Sequence, residues 1–363
     1  MHRVLVTALL SALSLTAARQ EGLQALRLLG RIQVDGRLEE PCWAEAGVAR
    51  GFTTQWPNYG QAASLPTDVR VLYDDRYLYV GARMHHSEDS GGVVSRIHRR
   101  DQESVSDWFG VMVDSLHDRQ TAWGFLVNAG GVQRDILHFA DTQQDSSWDG
   151  VWESAVQVDA QGWSAELKIP LSLLRIRPGD GPQTWGINFL RSDQGRFRER
   201  SYWSLPPRGT SGFVSVFPEL RGIEGVVPRP RRDVVPYLSL QKKVASTQGF
   251  DDYGPELRAG VDLHVSLNTS AQLDATLRPD FGQVEVDEAV INLGTVETFF
   301  PEKRPFFLEG MELFQFPEAQ LLYSRRIGKG VAPPVPAPGE VLVDAPLAAE
   351  IQAAGKYTAK LGS

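Results

Sequence analysis

Five tryptophans lie in or next to segments that read as loops, and they are the side chains best suited to a flat ligand. They are Trp56 in TTQWPNYG, Trp108 in SDWFG, Trp148 and Trp152 in SSWDGVW, and Trp203 in SYWSL. An exposed indole offers a broad apolar face, whereas a buried indole contributes to the core. Packing is the alternative at each of these positions. Trp43, Trp163 and Trp185 lie within or beside strand-like runs, which predicts that they pack in the core.

The titratable side chains form no recognised catalytic motif. Five carboxylates are available for acid–base chemistry, namely Asp107, Asp114, Asp135, Glu153 and Glu166, but no short motif singles out a pair. The sequence contains no nucleophile elbow, zinc motif or phosphate-binding loop. His85 and His86 are adjacent, and neighbours on a strand point to opposite faces, so we do not expect both to bind one metal ion. The expected set of catalytic residues is therefore empty.

Composition and the N-terminus narrow the class of protein. The chain has 363 residues, which is long enough for two structural units, and its 42% hydrophobic and 23% charged residues are typical of globular proteins. A formal net charge of −8 provides no basic surface for nucleic acid. Cys42 is the only cysteine, so no intrachain disulfide can form. A positive start, a short apolar run and small residues predict a signal peptide at residues 1–18, and hence export.

Short alternating runs separated by turns predict a β-sandwich over residues 24–225. The clearest is DVRVLYDDRYLYVGARM, in which two runs joined by Asp74-Asp75-Arg76 indicate a hairpin. A short helical patch is expected after Pro170. Further strands are predicted at residues 108–114, 123–128, 152–158, 163–170 and 185–191.

The pattern changes after this region. The segment GVVPRPRRDVVP holds three prolines and three arginines, so we predict a linker at residues 226–236. Within residues 237–363, apolar residues alternate with polar ones at 261–267 and 273–277, in arms about as long as a tilted membrane strand. A soluble hairpin with one wet face has the same period, and the alternation leaves both possibilities open.

Several of these motifs occur together in known families. VDGRLEEPCW, VRVLYDDRYLYVGARM, SDWFGVMVD, FLVNAGG and GWSAELKIPLSLL together resemble family 9 carbohydrate-binding modules. PDFGQVEVDEAVINLGTVETFFPEKRPFFLEG, followed by LLYSRRIGKG, resembles the bacterial DUF5916 family, in which such a module precedes an outer-membrane β-barrel domain. The resemblance implies an all-β fold, with a sandwich followed by an incomplete antiparallel barrel segment and a plug-like loop region. A closed barrel needs at least about eight strands, so we expect the chain to be truncated, as the front part of such a protein.

The plug-like region would explain charges that lie among phenylalanines. Charges cannot enter an apolar core unpaired, whereas a wet barrel lumen accepts them as pairs. The candidate plug charge pairs involve Glu285, Asp287, Glu302, Lys303, Arg304, Arg325 and Arg326. A solvated surface loop is the alternative.

The resemblance also implies where a sugar would bind, but most of the family's binding side chains are missing. Alignment puts one stacking tryptophan of the family near Ser104, a carboxylate on Gly110 and an arginine on Leu126. The second stacking tryptophan falls around Ser211, whereas an asparagine is kept as Asn128. The candidate carbohydrate-binding residues are therefore Trp56, Trp108, Asn128, Trp148, Trp152 and Trp203, acting as a relocated aromatic platform.

These observations predict a carbohydrate-binding module that is not catalytic and that belongs to an exported, outer-membrane-associated bacterial protein. The expected role is polysaccharide binding or uptake. The expected partners are a polysaccharide or oligosaccharide, the outer membrane and the remaining barrel segment, with no nucleic acid. We expect no cofactor other than a structural Ca²⁺, to which Asp107 could contribute, and no ligand set can be assigned. The expected location is the outer membrane or periplasm of a Gram-negative bacterium. The alternatives are a structural or gating cap that binds no sugar, and a glycoside hydrolase or an accessory to carbohydrate catabolism.

Overall fold

The structure, a computed structural model, describes residues 20, 22–102, 104–146, 148–177, 181–209, 211–226, 230, 232–241, 256–268, 271–279, 305–308, 315–316, 319–320, 322–328, 337, 349 and 351–359. Its described part is all-β, which confirms the predicted fold class. The predicted signal peptide at residues 1–18 lies outside the described residues. No helix within the described ranges is both long and apolar enough to cross a membrane.

The first region consists of short strands and one short helix. In chain order they are β1 (Leu23–Gln24), β2 (Leu26–Arg27), α1 (Pro41–Glu45), β3 (Val48–Ala49), β4 (Thr53–Trp56), β5 (Thr67–Tyr73), β6 (Tyr77–His85), β7 (Trp108–Asp114), β8 (Ala122–Asn128), β9 (Gln133–Phe139), β10 (Gln143–Asp145), β11 (Glu153–Asp159), β12 (Gly162–Pro170), β13 (Gln183–Ser192), β14 (Arg200–Tyr202) and β15 (Glu219–Ile223). Single 3₁₀ turns lie at Glu88–Ser90, Leu171–Leu173 and Val214–Val216. The predicted strands are therefore confirmed to within a few residues.

These strands form two sheets that pack as a sandwich. The groove sheet has the order β1-β15-β13-β7-β8-β9-β10, with β14 joining β13 to β4. The back sheet has the order β11-β12-β6-β5-β2, with β3 beside β5. Neighbouring strands are antiparallel except at β1–β15 and β2–β5.

The core lies between the two sheets. Phe109, Phe125 and Phe189 enter it from the groove sheet, and Trp163 enters it from the back sheet; each is fully buried. Complete burial of such a side chain contributes about 1.5–3 kcal/mol. Trp185 is also fully buried, so its prediction as a packing residue is confirmed along with that of Trp163.

The β5–β6 hairpin has a clear local cause. Asp74 Oδ1 accepts hydrogen bonds at 2.7 Å from the backbone N–H groups of Arg76 and Tyr77. This side-chain bond to residues two and three positions on is the usual way in which aspartate stabilises a turn. The hydroxyl of Tyr79 donates to the other oxygen of Asp74 at 2.9 Å, which joins the turn to the following strand.

The outer face of the back sheet is covered by α1. This helix begins with Pro41, whose fixed φ suits the first helical position. Trp43 from α1 is 2% exposed and packs against Leu72 and Tyr79, as predicted for a core tryptophan. Its indole Nε1 donates to Glu166 Oε1 at 3.1 Å. The buried indole therefore has a polar partner as well as an apolar one.

The second region forms a separate antiparallel sheet, which we call the C-terminal sheet. The elements of this region in chain order are β16 (Arg232–Gln241), β17 (Glu256–Asn268), β18 (Ala271–Leu277), α2 (Pro305–Leu308), β19 (Gln315–Phe316), β20 (Ala319–Gln320) and β21 (Ala353–Ala359), with a 3₁₀ turn at Ser324–Arg326 before β21. The C-terminal sheet has the order β16-β17-β18-β21, and β19 and β20 pair with each other as a second, two-stranded sheet.

The C-terminal sheet contains the predicted alternating hairpin at 261–277. It also begins at Arg232, inside the segment predicted as linker. Pro236 is expected to prevent a central strand, and it lies in β16, which is the first strand of the described sheet. A proline is compatible with an edge strand because its missing N–H need not enter a ladder.

Candidate functional site

A groove lies on the outer face of the groove sheet, where β7, β8, β9, β13 and β14 meet. Its volume is about 490 Å³, which is within the range of roughly 300–1,000 Å³ found for ligand pockets. The residues that line it are Ser104, Val105, Trp108, Met112, Leu126, Arg134, Ile136, His138, Thr142, Gln144, Leu190, Ser192, Gln194, Arg200, Tyr202, Pro206, Gly212 and Phe213.

The floor of the groove is apolar. Trp108, Leu126 and Ile136 form a small buried cluster, and Leu190 packs against it. Trp108 is 8% exposed, and its indole Nε1 donates to the carbonyl of Ser104 at 3.3 Å. Trp108 therefore contributes an edge of apolar surface to the floor and is fixed in place by a hydrogen bond.

Trp56 is the exposed tryptophan among the candidates. It ends β4 and is 55% exposed. Its register partner on β14 is Arg200, which lines the groove. The register shifts between this pair and the next one, Thr54 with Ser201. Trp56 is thus outside the groove lining but beside one of its residues, a position that we call the rim of the groove.

The loop after Trp56 is held against another part of the rim. The Tyr59 hydroxyl donates to the carbonyl of Pro206 at 3.0 Å. The guanidinium of Arg208 lies 4.5 Å from the centre of the Tyr59 ring. These two contacts fix the loop that carries Trp56 beside Pro206, a groove residue.

The polar lining carries donors but no acid. Arg134, Gln144, Gln194 and Arg200 supply amide or guanidinium groups, and His138 supplies an imidazole. Burial lowers the pKa of His138 to about 4, so the ring is neutral near pH 7. No aspartate or glutamate occurs among the lining residues that the structure describes.

The positions transferred from the family site surround this groove. Ser104 and Leu126 line it, and Gly110 is paired with Leu126 on one side and with Leu190 on the other. Ser211 precedes Gly212, another lining residue. The aligned positions therefore lie together at or beside the groove, with leucine at the position predicted for the family arginine and glycine at the position predicted for its carboxylate.

Three other candidate tryptophans lie in the core. Trp148 and Trp152 meet the ring of Phe125 edge-on at 5.8 and 5.5 Å between ring centres. Trp203 packs against Phe189 at 5.5 Å. All three are less than 9% exposed and belong to the cluster between the two sheets. In this structure they are packing residues and do not reach the groove.

Asn128 is a loop-fixing residue. Its side-chain oxygen accepts hydrogen bonds at 2.9 Å from the N–H groups of Gly130 and Val132, and its Nδ2 donates to the carbonyl of Arg96 at 2.9 Å. The side chain is fully buried. These contacts use the amide to hold the turn after β8.

The five carboxylates available for acid–base chemistry do not converge on the groove. Four of them are buried, namely Asp107, Asp114, Asp135 and Glu166. Glu166 accepts the N–H groups of Asp35 and Gly36 at 2.9 Å, and burial raises its pKa to about 7. Burial likewise raises the pKa of Asp135 to about 7. Glu153 forms an ion pair at 2.9 Å with Lys168.

The histidine doublet is divided between two environments. His85 ends β6 and lies 3.7 Å from Asp68 at the surface. His86 follows the strand and is directed inward, towards Asp107 and Asp193. These three residues are the group of potential metal ligands found within the described ranges.

The candidate plug charges fall only partly within the described residues. Glu285, Asp287, Glu302, Lys303 and Arg304 lie outside them. Arg325 and Arg326 lie in the 3₁₀ turn at Ser324–Arg326, and the Arg326 guanidinium is 5.8 Å from the Tyr323 ring centre. The charge pairs therefore stay a prediction.

Several groove residues are absent from the set of candidates predicted from the sequence. Arg134, His138, Arg200, Tyr202 and Phe213 all line the groove. The sequence of β7 and β8 contained a signal for these residues, because both strands are apolar on both faces and every residue in them is buried. One face of such a strand packs in the core. The other face must be covered as well, which indicates a second group of packed residues on the outside of the sheet.

Comparisons with known proteins add the family context. A search of curated proteins found no match. Among solved structures, the chain is similar to a family 9 carbohydrate binding module from Caldicellulosiruptor kristjanssonii in complex with cellotriose, with 16% identity, a TM-score of 0.40 and coverage of 57% of this chain and 94% of that chain. The glucose complex gives 16% identity, a TM-score of 0.40 and coverage of 57% and 96%. A Bacteroides uniformis protein of assumed carbohydrate-binding function gives 13% identity, a TM-score of 0.44 and coverage of 55% and 97%.

Two family models match the sequence in succession. Residues 228–360 match the domain of unknown function DUF5916. Residues 34–206 match the family described as carbohydrate family 9 binding domain-like. The chain therefore contains a region similar to family 9 carbohydrate-binding domains, followed by a DUF5916 region.

Proposed function

We propose that the groove binds an oligosaccharide or the end of a polysaccharide. The family match over residues 34–206 supports the ligand class. The observation that carries the proposal is the position of Trp56, exposed at the rim of a groove with an apolar floor. A pyranose ring has apolar C–H faces and polar edges, so it requires this combination of a flat aromatic surface and nearby donors.

Each part of the groove has a role in this proposal. The Trp56 indole stacks on one sugar face, while Trp108 and Leu190 cover apolar C–H groups at the floor. Arg134, Gln144 and Gln194 donate hydrogen bonds to ring and hydroxyl oxygens. With arginines and no carboxylate among its described lining residues, the groove favours neutral or acidic sugars over amino sugars, because a cationic sugar would face like charge.

We propose binding without catalysis. Glycoside hydrolysis commonly uses two carboxylates about 5–9.5 Å apart on either side of the scissile bond. Of the five carboxylates available for acid–base chemistry, four are buried in the sandwich. The fifth, Glu153, is paired with a lysine at the surface. The groove residues therefore hold a sugar in place rather than activate it.

A glycan array followed by calorimetry on the full chain tests this function. The array should contain neutral, uronic-acid-containing and amino-sugar oligosaccharides. We expect saturable binding to members of the first two classes and none to the third. Absence of binding to any glycan would refute the proposal and favour the structural or gating cap, whereas release of reducing ends would favour the hydrolase.

We further propose that the C-terminal sheet faces lipid in an exported, outer-membrane-associated protein. Leu238 and Leu240 are 68% and 69% exposed, although they are apolar. On the opposite face Asp274 is 1% exposed, and its Oδ1 and Oδ2 lie 2.9 Å from His264 Nδ1 and 3.7 Å from Lys356 Nζ. A sheet in water has the reverse arrangement, whereas a membrane strand is apolar outside and polar inside.

Fractionation of a Gram-negative host that expresses the full chain tests the location. We expect the protein in the outer-membrane fraction, with detergent needed to extract it. Leu238→Asp and Leu240→Asp together should move it out of that fraction. Val158→Asp, a change at an exposed position of the sandwich, is the matched control and should not. A monodisperse, folded full chain in buffer without detergent would contradict the location but leave sugar binding untouched.

A further inference from the structure

His86, Asp107 and Asp193 form a buried polar cluster that the groove does not use. His86 Nε2 lies 3.4 Å from Asp107 Oδ2 and 3.7 Å from Asp193 Oδ1. The three side chains are only 4%, 2% and 3% exposed. One ligand atom from each residue lies within 4.8 Å of the other two. Two acids and an imidazole therefore meet in a space almost closed to solvent.

The hydrogen bonds of Ser90 determine which nitrogen of the neutral His86 imidazole has a lone pair directed at the acids. The Ser90 hydroxyl donates to the carbonyl of Ser87 at 2.7 Å, so it acts as the acceptor for His86 Nδ1 at 2.9 Å. The proton of a neutral imidazole is thus assigned to Nδ1. Its Nε2 lone pair then points towards two carboxylates, which is a repulsive arrangement of three acceptors.

Backbone donors reach Asp107 but leave other acceptors of the cluster unpaired: the N–H of Val94 donates to Asp107 Oδ2 at 3.3 Å. Within the described ranges, His86 Nε2 and both carboxylate oxygens of Asp193 have no hydrogen-bond partner. The backbone N–H of Arg198 lies near the Asp193 carboxylate and favours its charged form. An unsatisfied buried polar group costs about 1–3 kcal/mol, and more if it is charged. The unpaired imidazole nitrogen and the unpaired carboxylate of Asp193, which meet beside Asp107, call for a cation between them.

Arg191 does not fill that position. It is close enough for its charge to interact with Asp107 and Asp193. However, its guanidinium donates to the backbone carbonyls of Pro66 and His85, each at 2.8 Å. The arginine balances part of the negative charge from a distance, while the acceptors of the cluster stay directed at one another.

We propose that His86, Asp107 and Asp193 bind a divalent transition metal ion of the Zn²⁺ type. Zinc bonds of roughly 2.0–2.2 Å at tetrahedral angles put neighbouring ligand atoms about 3.3–3.6 Å apart. The observed separations of 3.4 and 3.7 Å agree with this spacing. The hydrogen bond between His86 Nδ1 and Ser90 is the outer contact that usually orients a metal-binding imidazole.

The donor set does not suit the structural Ca²⁺ expected from the sequence. Calcium takes six to eight oxygen ligands and is held mainly by carboxylates and carbonyls. An imidazole nitrogen with two carboxylates is instead a donor set typical of zinc and its neighbours. Asp107 Oδ1 also accepts the N–H of Gln194 at 2.7 Å, so that oxygen is committed to the backbone.

Gly195 allows the loop after Asp193 to pack closely against the segment that contains Ser90. A Cβ atom at Gly195 would lie 2.7 Å from the carbonyl oxygen of Ser90 and 3.5 Å from Asp193 Oδ1. The first distance is too short for a real contact, so a side chain there would push the Ser90 and Asp193 segments apart. Glycine therefore keeps the loop close to the ligands.

Metal binding to the full chain can be measured directly. The protein is stripped with a chelator, titrated with Co²⁺ while visible absorption is recorded, and then challenged with Zn²⁺ or Ca²⁺. We expect one equivalent of Co²⁺ with the intense bands of tetrahedral coordination, displacement by Zn²⁺ and none by excess Ca²⁺. Elemental analysis of the Zn²⁺-loaded protein should give the same stoichiometry.

Variants assign the ligands. His86→Asn and Asp193→Asn should each weaken metal binding at least a hundredfold, while His85→Asn, the matched change at the neighbouring histidine, should leave it unchanged. Absence of metal binding by the wild-type chain overturns the proposal even if the variants do not fold. Preference for Ca²⁺, or unchanged binding by His86→Asn, also overturns it. An imidazolium at His86 in the stripped protein, seen by NMR together with no metal uptake, would identify a proton as the cation.

Discussion

Leu126 occupies the space that a side chain at Gly110 would need. The two residues are paired across β7 and β8, and a Cβ atom at Gly110 would lie 2.8 Å from Leu126 Cγ. The groove floor therefore has its leucine because the neighbouring strand has a glycine. The resemblance to family 9 modules implies a carboxylate at position 110 and an arginine at position 126. In this chain the two positions hold a glycine and a leucine that fit each other sterically.

Gly110→Ala should destabilise the protein by about 1–3 kcal/mol, because an added methyl group overpacks the floor. In a Leu126→Ala background the same change should cost almost nothing, since the obstructing side chain is gone. Urea unfolding of the two single variants and the double variant measures this coupling. Gly30→Ala is the control, because no atom lies within 4 Å of a Cβ there. Additive losses would refute the contact.

Trp56→Ala should weaken sugar binding at least tenfold, or about 1.4 kcal/mol, with little change in unfolding free energy. The reason is that the exposed indole offers its face to ligand and contributes little to the core. Calorimetry with the best glycan from the array measures the loss. Leu29→Ala, a change at a residue that is 94% exposed, controls for general surface effects. Equal affinity in Trp56→Ala would remove the stacking role.

Trp152→Phe should lower the unfolding free energy by about 1–3 kcal/mol, because it leaves a buried carboxylate short of a donor. The indole Nε1 of Trp152 donates to Asp135 Oδ1 at 2.6 Å. Trp203→Phe is a matched control, since Trp203 Nε1 has no hydrogen-bond partner in the described part of the chain. It should lose only the packing of the larger ring, and therefore less than Trp152→Phe in the same urea titration. Equal losses in both variants would contradict the assigned hydrogen bond.

His138 should make the protein sensitive to acid. Burial lowers its folded-state pKa to about 4, whereas the unfolded chain titrates near 6.5. Between these values the unfolded state binds more protons, so stability is lost as the pH falls from 6.5 to 4, by about 3 kcal/mol at pH 4. Glutamine does not titrate, so the His138→Gln variant should lose less unfolding free energy than the wild type between pH 6.5 and pH 4. Unfolding series at several pH values, with an NMR titration of His138, measure this; identical pH profiles would refute it.

The positions of the strands in the sandwich follow from local patterns more than its surfaces do. Alternation around Asp74 identifies β5 and β6 because the turn and both strands are contiguous in the chain. The same reasoning cannot separate Trp56 from Trp148, because both lie in similar loop-like sequence. Only the pairing of β4 with β14 puts the first at a groove rim, and only Phe125 from another strand buries the second.

Contacts between residues far apart in the sequence explain the other features of the structure that were not predicted from the sequence. Asp193 is brought beside Asp107 by the pairing of β13 with β7, and His86 reaches both acids from the end of β6 in the back sheet. No local period reveals these relationships. Pro236 excludes a central strand but not an edge strand, and sequence alone does not show which strand is at an edge. Of the positions taken from the family alignment, Ser104 and Leu126 line the groove, and the alignment itself stays a prediction.

Asp107 and Trp108 are consecutive residues, one directed into the buried cluster and the other into the groove floor. Ser192 and Gln194, which line the groove, likewise flank Asp193. A cation that fixes the two acids would also restrict the backbone under the sugar, so the two ligands would be thermodynamically linked. By reciprocity, an oligosaccharide that prefers this ordered floor would raise the affinity of the protein for the ion by the same factor.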